Sequence, residues 1–372
     1  MKEFSQLFEG VSDPRHSNAT RHDLHEMLMI ALLSVLCGGE GCHDMSLFGR
    51  SKEKFLRRFM ALEYGIPSHD AFSDLFNALD PKSFQPVMQR LLGDFARNLA
   101  GGSDPVIAID GKALRRSFDK ASGKSPLHLV QAFAAEARLV LGQVAVDEKS
   151  NEITAIPELL ALLDVKGRII TADAMHTQRA TAEAVGNRGG DYVLALKGNQ
   201  AKLFQDAKLY LDDPENTNKC QSFQSVGAGH GRIETRTAVV SNDIGWLQER
   251  HNWPGLSAIG KVIATRETGG KQTRHSRYFL LSLPLEAARF LEVTRSHWRI
   301  ENSLHWVLDV TMNEDQARNR TGNGAENLAL LRRMALNLAR TESTKGSMRG
   351  KIKKAGWSDD FMLDMIRAAI HV

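Results

Sequence analysis

Residues 23–39 read DLHEMLMIALLSVLCGG, with apolar side chains at helical spacing up to a stop at Gly38-Gly39. SKEKFLRRFMALEYG (ending at Gly65), SHDAFSDLFNALD and PKSFQPVMQRLLGDFARNLA repeat that texture, each with its own start, so residues 1–100 are predicted to form a helical domain. AGGSDP at 100–105 marks its end. The pattern then changes. VIAID (106–110) is a short apolar strand, and LHLVQAFAAE and RLVLGQVAVD add two more around a turn, giving an antiparallel set of three. AIPELLALLD (155–164) predicts a helix, RIITAD (168–173) a strand and TQRATAEAVGN (177–187) a helix. DYVLALK (191–197) is apolar on both faces, as a buried parallel strand is, and a helix over 201–212 follows.

RIETRTAVVS, AIGKVIATRE and SRYFLLSL make 215–285 strand-like and rich in turns, after which helical spacing returns at 286–295, 297–310 and 324–340. Three hairpin-linked strands extended by two parallel ones give a mixed α/β sheet with helices on both faces. That order is a ribonuclease-H-like plan over 101–342, interrupted by a β-rich insertion at about 215–285 and followed at 343–372 by a basic tail with a short helix.

Composition narrows the class. At 372 residues, two or three structural units are expected. No stretch approaches the roughly 20 apolar residues of a membrane span, and the N-terminus, with acids and no apolar core, does not read as a signal peptide. Cys37, Cys42 and Cys220 are too few for a disulfide framework, so a cytoplasmic setting is expected. Cys37, Cys42 and His43 lack a second ligand pair for zinc and read as buried thiols. Net charge is only +4, but it is unevenly spread: residues 1–100 hold 11 Lys/Arg against 13 Asp/Glu, whereas 316–356 hold 10 against 2. A polyanion partner would require such a basic segment; a solvated helix face with a loose tail would explain it as well.

Three acids carry the candidate chemistry. Asp110 closes the first strand in VIAIDGKALRRS, Asp173 closes the fourth in IITADAMHTQ, and Glu301 lies in the helix RSHWRIENSLHWVLDV between Trp298 and Trp306. An acid ending an apolar strand is costly to bury without a compensating partner. A cap or turn explains one such Asp; two on neighbouring strands, with a carboxylate on a helix crossing them, make the geometry for two divalent cations. Val106, Ala108, Asp110 and Lys112 share one strand face, so Lys112 is expected near the acids. Glu301, His305 and Asp309, at i, i+4 and i+8, form one helix stripe.

Other polar positions have two readings. Lys149, Ser150, Asn151 and Glu152 read as a helix N-cap or as backbone contacts to DNA; Lys197, Asn199 and Gln200 read as a turn around Gly198 or as a cation near a phosphate. Arg115 and Arg116 read as a solvated loop or as phosphate contacts. His230, Arg232 and Arg236 read as an exposed basic strand or as a DNA grip.

The ordered series DPRHSNATRHDLHEMLMIALLSVLCGG, GIPSHDAFSDLFNALDPKSF, AIDGKALRRS, EKSNEITAIPELL, ITADAMHTQ, DYVLALKGNQ, GHGRIETR and HWRIENSLHWVLDVTMNEDQAR spans nearly the whole chain. It resembles the DDE transposases of bacterial insertion sequences, most closely the ISAs-one family and its H-repeat-associated relatives. The resemblance implies that Asp110, Asp173 and Glu301 are the catalytic, metal-binding triad. It implies Mg²⁺ or Mn²⁺, two ions with DNA bound, and hydrolysis at transposon ends followed by transfer of the 3′-hydroxyl into target DNA. The helical N-terminal domain would bind the DNA ends, and two ends handled together imply a dimer on DNA in the bacterial cytoplasm, associated with the nucleoid. The wider group often carries Tyr, Arg and Lys around the glutamate; here Thr294, His297 and Leu308 stand there, with Arg295, Arg299 and His305 as substitutes. A rival reading is a relative that binds DNA without strand transfer. A second rival, a glycosidase with Glu301 as acid, fits poorly with 7% aromatic residues.

Overall fold

The computed structural model describes residues 7–16, 20–84, 86–88, 90–92, 105–118, 123, 125–146, 152–229 and 231–370. The N-terminal region holds helices α1 (Leu24–Leu36), α2 (Cys42–Leu56) and α3 (His69–Ala78) among the described residues. Asp23 starts α1 by accepting the Glu26 N–H, and Ser68 starts α3 by accepting the Ala71 N–H. Helix α1 is apolar nearly all round and accordingly buried nearly all round. Cys37 and Cys42 lie in this body, and burial pushes their thiols up to about 12 and 11.

Strands β1 (Val106–Ala113), β2 (His128–Ala134) and β3 (Leu139–Val146) pair antiparallel. Helix α4 (Glu152–Ala161) leads to β4 (Ile169–Ala172), parallel to β1, and α5 (Arg179–Gly186) leads to β5 (Asp191–Leu196), parallel to β4. After α6 (Ala201–Asp212) come β6 (Gln221–Gly229), β7 (Arg232–Ser241), α7 (Gly245–His251), β8 (Ala258–Thr268) and β9 (Lys271–Leu281). This insertion continues the same sheet: β9 pairs antiparallel with β5, and the order is β3-β2-β1-β4-β5-β9-β8-β7-β6. Pairing of that kind covers a β5 edge that would otherwise be open.

Strand alternation sorts the two faces. Ile107, Ile109, Ile170 and Leu194 join a core with Ile156 and Leu159 of α4, Val185 of α5 and Leu203 of α6. Val106, Ile169, Val193 and Phe279 join the opposite core, capped by Phe290, Leu291 and Val293 of α8 (Ala287–Arg299). The helix that leads to Glu301 therefore covers the face on which Asp110 lies.

Beyond α8 the chain runs through a π-helical segment (Ile300–His305) into α9 (Trp306–Val310) and then α10 (Gly324–Thr341). Helix α10 packs among the N-terminal helices and against β3. Asn327 donates to the Phe76 and Leu79 carbonyls (2.7 and 2.8 Å), and Asn337 accepts the Val140 N–H at 2.9 Å. The helical body is thus built from both ends of the chain, not from residues 1–100 alone.

Two sequence expectations are corrected here. Residues 348–370 hold two packed helices, α11 (Met348–Trp357) and α12 (Asp359–Ile370), with Ile352, Ala355, Met362, Met365 and Ile366 in the core, where a basic tail with one short helix was expected. The basic run at 316–356 is partly interior. Arg332 and Arg333 are 2% and 0% exposed, and buried Lys351 donates to the Ala339 carbonyl at 3.0 Å. Charge counting cannot see this, because the partners lie elsewhere in the fold: Arg332 donates to the Glu40 carbonyl, Arg333 to Glu314, and Lys351 pairs with Glu342.

Candidate active site

The pairing of β1 with β4 ends at Ile109 against Ala172. The residue that follows each is an acid, Asp110 and Asp173. Strand β1 continues to Ala113 beside β2, while β4 stops, so a gap opens where the two acids stand. Asp110 Oδ1 accepts the Gly111 N–H at 2.9 Å. Asp173 Oδ1 accepts the His176 N–H at 3.2 Å, so this acid also shapes its turn, with the buried His176 ring 3.9 Å away.

Glu301 reaches the gap from above. Ile300 and Leu304 are buried while the Glu301 side chain is 57% exposed, so the segment anchors on one side and offers its acid on the other. A π turn closes i→i+5 bonds, seen where the Trp306 N–H meets the Glu301 carbonyl, and it re-aims the residues that follow. The stripe read from a regular helix therefore breaks. His305 stays with the acids, its Nδ1 3.0 Å from Glu301 Oε2 and 3.8 Å from Asp110 Oδ2. Asp309 turns away to Lys112, whose Nζ lies 2.7 and 2.8 Å from its two oxygens.

Asp110, Glu301 and His305 offer ligand atoms that all lie within 4.8 Å of one another, a donor set suited to a divalent cation. Asp173 stands outside that close group but lines the same cavity, of about 340 Å³, with Lys197, Arg277, His297 and Trp298. Burial pushes the His297 imidazole down to about 4, against the pull of Asp173, and its Nδ1 lies 3.1 Å from Thr171 Oγ1. Burial also lowers His305, with the Glu301 hydrogen bond opposing.

The family described as "Transposase DDE domain" matches residues 101–338, and "DDE_Tnp_1-associated" matches residues 5–92. The chain belongs to the DDE transposase family. It is 35% identical over 375 residues to the "H repeat-associated putative transposase YhhI" of Escherichia coli (strain K12), covering 98% of each chain. To the "Putative transposase YncI" of Escherichia coli O157:H7 it is 36% identical over 363 residues, covering 96% of this chain and 92% of that one. Among solved structures, piggyBac transposase in a synaptic complex with hairpin DNA matches at 12% identity and a TM-score of 0.43, over 98% of this chain and 77% of that chain. A similarity that slight carries no argument. Among the described residues, no helix is long and apolar enough to cross a membrane.

The remaining sequence candidates of this DDE-family chain divide. Lys197 lines the cavity, and Arg115 and Arg116 are exposed, Arg115 lying 3.3 Å from Asp315. Lys112, expected beside the acids and as a DNA contact, is 8% exposed and donates to Asp309 at 2.7 Å. Asn199 is bound to the loop that follows Asp173, donating to the Ala174 and Thr177 carbonyls. Arg299 donates to the Ala135 carbonyl at 3.2 Å, and Arg236 pairs with Glu234 at 2.7 Å. Thr294 is buried and donates to the Leu291 carbonyl, and Leu308 is core. Lys149, Ser150, Asn151 and His230 lie outside the described residues. Sequence reading missed Thr171, which shares the alternating face of Asp173, and Arg277, which reaches the cavity only because β9 pairs with β5.

Proposed function

We propose that this chain is a DNA transposase that hydrolyses phosphodiesters at the ends of a mobile element and joins the freed 3′-hydroxyl to target DNA. The observation that carries this reading is the end of the β1–β4 pairing, where Asp110 and Asp173 follow the last paired residues and line one cavity with Glu301, which lies just past α8. The core is then ribonuclease-H-like, with β6–β9 as the insertion and the N-terminal helices as the end-binding unit. Asp110, Asp173 and Glu301 would hold two divalent cations, Mg²⁺ or Mn²⁺, with His305 beside Glu301. When bound, such ions supply Lewis acidity to the attacking and the leaving oxygen.

The chain's own groups do the rest. Lys197 and Arg277 place fixed positive charge at the cavity wall for non-bridging phosphate oxygens. His297, neutral because it is buried, holds Thr171 and so ties α8 to β4. His305 orients the Glu301 carboxylate through Nδ1. A dimer on DNA would bring two ends together.

The test is Mg²⁺-dependent cleavage of DNA carrying the element's end by the full chain. Asp110→Ala, Asp173→Ala and Glu301→Ala should each abolish cleavage and leave DNA binding intact. Wild-type cleavage by any one of them removes that residue from the triad. DNA binding by the wild type with no cleavage under any divalent metal would favour the relative without strand transfer.

A further inference from the structure

We propose that one face of the β6–β9 ribbon, the face continuous with the cavity, is a track along which duplex DNA lies on its way to the acids. This rests on the transposase reading and adds to it a surface, an orientation and a set of contacts.

The ribbon projects from the body. In β9 every residue from Lys271 to Arg277 is exposed and every residue from Tyr278 onward is buried. Strand β8 becomes exposed over its last residues, and β6 is exposed apart from one half-buried position. At about 3.4 Å per residue the free part is on the order of 20 Å long.

Register decides which side chains share a face. Phe279 and Arg277 line the cavity, so their side of the ribbon is the cavity side. Alternation along β9 adds His275 and Lys271. Cross-strand pairing places Ala264 against His275, and Thr268 against Lys271; Arg266 lies between those two β8 residues on the same side. Strand β7 then supplies Arg236 opposite Ala264, Glu234 opposite Arg266 and Arg232 opposite Thr268. The cavity side thus carries Arg277, Arg236, Arg266, Lys271 and Arg232 against the single acid Glu234.

Over the same stretch the other side has Arg274 against Glu267, with Val226 and Ile233 exposed beside them. Among the described residues, Arg236 pairs with Glu234, and Arg232, Arg266 and Lys271 have no carboxylate within ion-pair distance. Arg277 joins track to cavity, its guanidinium 4.5 Å from the centre of the Trp298 ring.

Spaced, unpaired cations suit a regular polyanion. Protein interfaces deplete charge at their cores, whereas duplex DNA offers one charge per roughly 1.7 Å of axis, so the ribbon spans on the order of a dozen phosphates.

The experiment measures binding of full-length protein to a short fluorescent duplex as a function of salt. In the variant Arg232→Gln/Arg266→Gln/Lys271→Gln the slope of log affinity against log salt should fall by about 0.9 per lost contact, close to three in all. Arg274→Gln, on the other side, should leave the slope unchanged. An unchanged slope in the triple variant with an unchanged melting temperature overturns the track, as does an equal effect of Arg274→Gln. A wild type that does not bind the duplex also overturns it. The transposase reading fails separately. A chain whose triple variant loses the slope, but whose wild type never cleaves DNA, keeps the track and loses the activity.

Discussion

Two glutamates of this chain lie close in sequence and are treated in opposite ways. Glu314 is wholly buried and receives two hydrogen bonds from Arg333, at 2.6 and 3.1 Å, with the guanidinium equally buried. Glu301 is more than half exposed, and its hydrogen-bonding partner is one imidazole. A carboxylate taken out of water must be neutralised in place, and the bidentate arginine does this for Glu314. A carboxylate left partly in water, beside a second acid, keeps oxygens available for a cation. The first arrangement braces the link between the active-site helix and the helical body; the second leaves a site to be filled.

The largest effects should separate these roles. Arg333→Ala strands a buried charge and should cost about 3–5 kcal/mol, seen as a large fall in melting temperature or loss of folded protein. Glu301→Gln should abolish metal-dependent cleavage and leave the melting temperature unchanged or slightly raised, since it removes one negative charge near Asp110. If Glu301→Gln destabilises as much as Arg333→Ala, the two glutamates are both structural and the comparison collapses. Next in size is His305→Gln, which should weaken Mn²⁺ binding, measured by titration calorimetry, by about 10- to 100-fold. A fall in melting temperature with unaltered Mn²⁺ affinity would make His305 a packing residue only. Asp309→Asn should be smaller, about 1–3 kcal/mol of stability, because Lys112 loses its nearest counter-charge but keeps Asp315 at 3.6 Å. Cleavage by that variant at a temperature well below its melting point should stay near wild type.

The same contrast explains what could be read from the sequence. Asp110 and Asp173 stood out because each follows an apolar run, a place where a carboxylate has no packing reason to be; that β1 runs on past Asp110 to Ala113 was not legible. Strand order through β5 followed from apolar runs of the right length between helical ones. Glu301 stood out as an acid among apolar helix positions. The π turn left no mark, since hydrophobic spacing through 297–310 looks regular, and so Asp309 was placed on the stripe that His305 alone keeps. Burial of Arg332, Arg333 and Lys351 was equally hidden: a cation reads as solvent-facing until its partner is known, and Glu314 lies on another element. Arg277 depends on a long-range strand pairing that local sequence does not encode.

The smallest effect expected is on acid stability, and it bears on Glu314 alone. Burial by itself would raise this carboxyl, but Arg333, with Arg332 and Lys112 behind it, holds it below the ordinary glutamate value of 4.5. A group whose folded value is depressed binds its proton more readily in the unfolded chain. Its stabilising contribution is therefore complete above about pH 4.5 and is lost as pH falls through the lowered folded value. The double variant Glu314→Gln/Arg333→Met removes both charges while keeping a filled site, and such replacements of buried pairs are often close to neutral in stability. At neutral pH its melting temperature should lie near that of the wild type and well above that of Arg333→Ala. Below pH 4.5 its melting temperature should fall less steeply with acid than that of the wild type. Parallel acid limbs in the two proteins would mean that Glu314 titrates alike folded and unfolded, and that the pair is weaker than its geometry implies.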